Sequence, residues 1–268
     1  MEKYVLVTGA RGGIGLEVAN QLLEKGYHVI GLDLAPLPDQ TKKGQHHFQV
    51  DICDQEALKK IYTEVSQFTD RLEAVVNVAG IMHTGSLIEE DVATIKKIFD
   101  VNVFGTYSVN QVFFPMLLKA KGRVINFSSE YGTYATAPFS GFYTASKHAV
   151  ETYSDGLRRE LACFDIPVIT VRPGAFKTDM EKGAHLEFEK FLKKTQLYQE
   201  ALKRMMPLLE SSTKNAKPAS IIGAVTVKAV TDPKPKRIYK SNHNIGMKIL
   251  SKMPLAIQDR VFIKMLKG

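Results

Sequence analysis

The stretch Thr8-Gly9-Ala10-Arg11-Gly12-Gly13-Ile14-Gly15 constrains this chain more than any other. It joins a short apolar run at residues 3–8 to a helical pattern through Val18, Leu22 and Leu23. Glycine is needed where a Cβ would block a tight turn or a close backbone approach. A glycine-rich turn that opens a helix lets backbone N–H groups approach a pyrophosphate at the positive helix end. Gly9, Arg11, Gly13, Ile14 and Gly15 are therefore candidate cofactor contacts. A second apolar run at 27–32 ends at Asp33, 18 residues after Gly15. An acid there can bond both ribose hydroxyls of an adenosine and repels a 2′-phosphate. Asp33 is followed by Leu34, with no arginine, so NAD is expected over NADP. Arg11, in the turn, either opposes that preference or faces solvent.

The alternation continues. A third short strand at about 46–50 runs into Asp51-Ile52, and a helix at about 55–68 carries Leu58, Ile61, Tyr62 and Val65 at helical spacing. A fourth strand at 73–78 runs into Asn77-Val78-Ala79-Gly80, and a helical segment covers about 91–116. A fifth strand at 123–127 ends at Ser128-Ser129, and a sixth at 166–171 ends at Arg172-Pro173-Gly174. Strands alternating with helices at this spacing predict an α/β protein with a doubly wound parallel sheet, helices covering both faces in three layers. Ligands on such sheets bind beyond the C-terminal strand ends. With no internal repeat or linker, residues 1–268 read as a single domain.

Of the ten tyrosines only Tyr143 has a lysine four residues later, Lys147. On a helix these positions share a face. A free phenol titrates near pH 10, and a neighbouring cation lowers that value, which makes tyrosine a usable acid or base.

Composition narrows the classes that remain. Hydrophobic residues make up 44% and charged residues 24% of 268, ordinary for a globular protein. No apolar run is long enough to cross a membrane, and no secretory leader is expected, so a cytoplasmic protein is expected. Cys53 and Cys163 have no paired or metal-like spacing; they are expected to be reduced, buried or neutral, and no metal site is expected. The net charge of +8 is uneven: from Lys214 to Gly268 twelve Lys or Arg face two Asp. Only Tyr239 and Phe262 interleave with this basic run, so no nucleic acid is expected.

The order of these motifs resembles the short-chain dehydrogenase/reductase family, in its single-domain branch with a Rossmann fold, from residue 4 to about 178. The motifs TGxxxGIG and YxxxK carry the resemblance, and its hydroxysteroid and retinol dehydrogenase-like members are the nearest in kind. The resemblance implies that Thr8-Gly9-x-x-x-Gly13-Ile14-Gly15 is a cofactor turn, that Asp51, with Ile52, borders the adenine, and that Asn77, Ala79 and Gly80 steady the central sheet beside the cofactor. It implies catalytic roles for Asn102, Ser129, Tyr143 and Lys147, with Pro173, Gly174 and Thr178 bordering the nicotinamide. Tyr143 and Lys147 would also touch the cofactor. Ser129 is preferred to Ser128 because it stands three residues before Gly132. Position 78 is Val where asparagine is usual, and Ser129 and Tyr143 are one residue further apart than expected. Glu130 has no family role and is expected to be structural or solvated.

Beyond Thr178 the resemblance no longer predicts individual residues. Phe188, Phe191, Tyr198, Leu202, Met205 and Leu209 recur at helical steps, so residues 179–213 are expected to form a lid over the cofactor cleft or to pack as core. Ile81, Met82, Tyr131, Tyr134 and Phe176 are candidate pocket residues for a small apolar alcohol or ketone of steroid, retinoid or acyl type. In the basic segment at 240–268, Ile257, Val261 and Met265 share one helical face, and Arg260, Lys264 and Lys267 another. Weak membrane-surface association or packing on the protein itself would each suit that pattern. The resemblance implies a homodimer or homotetramer. A regulator that senses the nicotinamide pool without chemistry is the alternative from another class, disfavoured by the retained Tyr–Lys pair. A nucleotide-sugar epimerase comes last, because its glycine turn is spaced differently.

Overall fold

The computed structural model describes residues 2–38 and 40–268; the side chains of Lys182 and of residues 208–214 lie outside that description. Seven parallel strands form the central sheet in the order β3-β2-β1-β4-β5-β6-β9. They are β1 (Tyr4–Thr8), β2 (His28–Asp33), β3 (Gln45–Gln49), β4 (Ala74–Asn77), β5 (Arg123–Phe127), β6 (Val168–Pro173) and β9 (Ile238–Ser241). A second pairing joins two short strands, β7 (Phe176–Lys177) and β8 (Lys217–Pro218). The chain runs outward from β1 to β3 and then restarts on the other side at β4, so the switch point lies between β1 and β4. This is the expected doubly wound sheet, with helices on both faces.

Side-chain alternation along each strand builds two cores. Tyr4 and Leu6 of β1 join a cluster with Leu58, Phe113 and Leu117 on one face. Val5 and Val7 join Val18, Leu22, Ile222 and Val227 on the other. The first face is covered by α2 (Gln55–Val65), α4 (Thr106–Ala120) and α5 (Gly141–Leu161), the second by α1 (Gly13–Glu24) and α8 (Ala219–Thr231). In α1 the buried residues Gly15, Val18, Ala19 and Leu22 fall on one stripe, and the helix ends where Gly26 takes φ +79. Asp54 caps α2 by accepting from the Ala57 N–H at 2.9 Å. Each large side chain buried in this way contributes about 1.5–3 kcal/mol.

Four sequence expectations are corrected. The helix expected over about 91–116 is α3 (Val92–Phe99), a π-helical turn Asp100–Gly105, and α4, which runs on to Ala120. The sixth strand begins two residues later than expected, at Val168. The seventh strand, β9, was not anticipated: it is four residues in a lysine-rich stretch, and only Tyr239 is buried. Cys53 and Cys163 are free, as expected, but exposed rather than buried.

After β7 come α6 (Asp179–Lys194) and α7 (Gln199–Lys214), and the chain closes with α9 (Ile245–Leu250) and α10 (Leu255–Lys267). Phe188, Phe191 and Leu202 are buried with Phe139, and Tyr198, Met205 and Leu266 pack against them. The apolar stripe of this segment is thus a third small core; Leu209 lies outside the described side chains. Among the described residues no helix is long and apolar enough to cross a membrane, and no cluster of His, Cys, Asp or Glu could hold a metal.

Candidate active site

The glycine turn follows β1, and its shape requires its glycines. Gly9 (φ +66) and Gly13 (φ +50) are left-handed, a region that L side chains rarely adopt. A Cβ on Gly15 would collide with the Gly9 carbonyl, so the turn and the first turn of α1 are in close contact. A Cβ on Gly12 would meet nothing within 4 Å. Gly12 caps α1 without a side-chain hydrogen bond, and α1 has no acid in its first turn. Open space above uncapped helix N–H groups fits a pyrophosphate.

Neighbouring loops close around this turn. The Ala79 N–H donates to Thr8 Oγ1 at 3.0 Å, and a Cβ on Gly9 would stand 3.2 Å from Ala79. From beyond β6, Thr178 reaches Gly13, whose Cβ would lie 3.3 Å from the Thr178 side chain. Thr178 also caps α6 by accepting from the Glu181 N–H. Pro173 ends β6, and Gly174 passes so close to Asn242 that a Cβ would strike its carbonyl.

At the end of β2 the Asp33 carboxylate accepts from the Arg11 N–H at 2.8 Å and the Ala35 N–H at 2.9 Å. The acid and the arginine expected to pull cofactor choice in opposite directions are therefore neighbours. His47 stands between them, its pKa lowered by burial and by the Arg11 charge. Asp51 is exposed and accepts from the Cys53 N–H at 2.9 Å. Ile52 is buried against the π-turn, where a Cβ on Gly105 would meet it at 2.7 Å. Its side chain therefore belongs to the core.

The second half of the site sits at the end of β5. Ser129, Tyr143, Lys147 and Asn102 are all buried. Ser128 and Ser129 part company: the Ser128 hydroxyl turns toward the Lys147 carbonyl at 3.4 Å, whereas the Ser129 hydroxyl lies near enough to the Tyr143 phenol to lower its pKa and accepts from the Tyr131 N–H at 3.2 Å. Tyr131 stands edge-on to Tyr143 at 6.1 Å between ring centroids. Burial pushes the Tyr143 phenol up to about 12, against the pull of Ser129. Burial pushes Lys147 down to about 8, opposed by Glu151. The ammonium donates to the Phe127 carbonyl at 3.0 Å and lies 5.8 Å from the Tyr143 ring centroid.

Asn102 lies in the π-turn, a distortion often found at functional sites. Its amide accepts from the Ile81 N–H at 2.8 Å and donates to the Ile81 carbonyl at 2.9 Å and to Ser146 Oγ at 3.0 Å. A Cβ on Gly80 would lie 3.0 Å from Asn102 Oδ1 and 3.5 Å from Lys147 Nζ, so Gly80 admits both groups to one spot. Behind them Asn77 donates to Asn110 at 2.8 Å and to Asn126 at 2.9 Å. Asn126 donates on to Ser154 at 3.0 Å, and Asn110 to Tyr153 at 3.1 Å. Sequence reasoning found Asn77 and missed its partners, which sit in no motif.

Ile81 and Met82 line a cavity of about 460 Å³ with Ile98 and Phe191. Its other walls carry Lys97, Lys194, Glu90 and His83, and neither Ser129, Tyr131 nor Tyr143 lines it. Phe176 belongs to the second core, and Tyr134 is buried in a 2.7 Å hydrogen bond to His243; neither lines this cavity. Glu130 is structural, as expected, but buried rather than solvated: it accepts from the Asn244 N–H at 2.6 Å, and burial raises its pKa.

The model of the family described as short chain dehydrogenase matches residues 3–187. The short-chain dehydrogenase fogD of Aspergillus ruber is 35% identical over 68% of this chain and 64% of its own. The NADPH-dependent 1-acyldihydroxyacetone phosphate reductase of Schizosaccharomyces pombe is 32% identical over 67% of this chain and 62% of its own. The chain thus spans less than two thirds of either relative. A short chain dehydrogenase from Burkholderia cenocepacia, solved in complex with NADP, superposes with a TM-score of 0.74 at 19% identity, covering 100% of this chain and 98% of that one. That likeness is one of fold.

Proposed function

The chain belongs to the short chain dehydrogenase family, and from that premise we propose that it is an oxidoreductase interconverting a hydrophobic secondary alcohol and its ketone with a nicotinamide cofactor. One observation carries this reading: Ser129, Tyr143, Lys147 and Asn102 are buried together at the end of β5, on the same sheet edge as an open glycine cradle. The bound cofactor supplies hydride transfer. Gly9, Gly13, Gly15 and Thr178 would hold its pyrophosphate, and Asp33 its adenosine ribose. Tyr143 gives a proton to the substrate oxygen, or takes one from it, and Ser129 orients that oxygen. A phenol held near 12 is the protonated form needed to reduce a ketone. Lys147 would hold the ribose hydroxyls, and burial, which pushes its pKa down to about 8, would let it pass a proton at physiological pH. Asn102 holds the Ile81 backbone beside it, where a water would complete a path to solvent.

Ile81, Met82, Ile98 and Phe191 support an apolar substrate body, while the charged cavity walls suit a polar end. Asp33 supports NAD, since a fixed carboxylate at the end of β2 disfavours a 2′-phosphate. The segment 179–213 is read as a lid, and the protein as cytoplasmic. Exposed Phe104 and Tyr107 on consecutive turns around α4 support a homodimer or homotetramer.

Nicotinamide absorbance with a panel of apolar alcohols and ketones, run with NAD and NADP in parallel, tests this reading. Tyr143→Phe is expected to lower turnover by about 100-fold or more while cofactor affinity stays within about twofold. Wild-type turnover in that variant refutes the mechanism. Tighter binding of NADP than of NAD overturns the cofactor assignment, and binding without turnover across the panel favours the sensor.

A further inference from the structure

The last two helices present an unusual surface. In α10 the residues turned inward are Gln258, Phe262, Met265 and Leu266, and Leu266 joins the cluster of Phe188 and Leu202 while its carbonyl accepts from Arg204 at 2.8 Å. Ile257 and Val261, which share the apolar face read from the sequence, are both exposed. With them, Ile245 is 72%, Leu255 74% and Ile263 49% exposed. Lys248, Lys252, Arg260, Lys264 and Lys267 are exposed too, and among the described residues none of them forms an ion pair. Asp259 is the lone acid in α9 and α10.

We infer that the α9–α10 surface docks on an anionic lipid bilayer. Aliphatic side chains standing free of the protein gain by entering the acyl boundary, and lysines among them gain from lipid phosphates. Two other occupants fit less well. A second copy seated symmetrically would bring two basic faces together, which costs free energy. Nucleic acid would want exposed aromatic rings for stacking, and Phe262, the aromatic residue of these helices, is half-buried.

The docked surface is tied to the catalytic loop. The Asn244 N–H at the head of α9 donates to Glu130 at 2.6 Å, and His243 bonds Tyr134 at 2.7 Å. The Ala135 N–H donates to Ser251 Oγ at 2.7 Å. All three anchors lie within six residues of Ser129. A bilayer docked here would lie against the segment anchored to that loop; delivery of apolar substrates from it would rest on the hydride-transfer reading, whereas docking does not.

Cosedimentation of the full chain with phosphatidylcholine vesicles, with and without phosphatidylglycerol, tests the inference at low and high salt without measuring turnover. Binding is expected on the anionic vesicles alone, and it should weaken as salt rises. Two double variants separate the contributions. Arg260→Glu with Lys264→Glu is expected to lower partitioning by about fivefold or more per residue. Ile245→Asp with Leu255→Asp removes the two most exposed aliphatics and should abolish retention. These two positions open α9 and α10, where an acid favours the helix, so an unchanged melting temperature verifies folding. Failure to sediment with anionic vesicles at low salt overturns the inference. So does a change of oligomeric state in the variants with vesicle retention unchanged, which would assign the face to a second copy. Loss of docking with normal turnover on soluble substrate would leave the proposed chemistry standing.

Discussion

Lys147 shows what a buried ammonium costs its fold. A buried ammonium is disfavoured relative to one in water, and its shift from 10.5 to about 8 corresponds to about 3 kcal/mol of destabilisation at neutral pH. Lys147→Met retains the hydrophobic stem and removes the charge. It is expected to raise stability by about 1–2 kcal/mol at pH 7, the remainder being lost with the bond to the Phe127 carbonyl, and to abolish turnover. The pH dependence has a definite sign. Between pH 8 and 10.5 the unfolded chain holds the Lys147 proton more firmly than the folded chain does, so wild-type stability gains from this residue as pH rises. The advantage of the variant should therefore shrink between pH 8 and 10, as read by urea unfolding at each pH. A constant difference would show that the charge is not what Lys147→Met removes. The spacing of Tyr143 and Lys147 was legible because helical periodicity alone puts them on one face. Their ionisation was not, because burial shifts both groups and no local pattern reports burial.

At the scale of elements, the strand ends place the chemistry and a buried amide network holds them in register. Asn77, Asn110 and Asn126 come from β4, α4 and β5, and all three are buried. Such networks stabilise only while each member is paired. Asn110→Leu strips partners from Asn77 and Tyr153 and should cost about 2–3 kcal/mol, seen as a lower denaturant midpoint with an unchanged slope. An unchanged midpoint would mean that water replaces the lost bonds. From sequence, Asn77 stood out by its motif, whereas Asn110 and Asn126 are single polar residues in apolar runs. The π-turn at Asp100–Gly105 was also hidden: one extra residue in a helical turn barely perturbs a hydrophobic period. The edge strand β9 escaped for the opposite reason, since one buried tyrosine among lysines has no strand signature.

At the scale of the molecule, a second exposed apolar surface stands apart in sequence from the basic last 55 residues: Phe104 and Tyr107 expose aromatic surface, 58% and 45% accessible. Patches of this kind mark association sites. Phe104→Glu with Tyr107→Glu is expected to lower the mass measured by light scattering to that of one chain, and an already monomeric wild type would remove the proposal of self-association.

The sequence by itself determined the layer architecture, the glycine turn, the acid at the end of β2 and the Tyr–Lys face, because each follows from periodicity or from the space a Cβ occupies. Tertiary structure turned the Ser128 hydroxyl toward the Lys147 carbonyl and left Ser129 beside Tyr143, because the two alternate in direction at the end of β5. It also decided that Glu130 is an anchor, that Phe176 is core, and that α10 turns Phe262 inward and leaves Ile257 exposed. Those outcomes depend on contacts between separate elements, more than a hundred residues apart for Glu130 and Asn244, and local physics has no access to them.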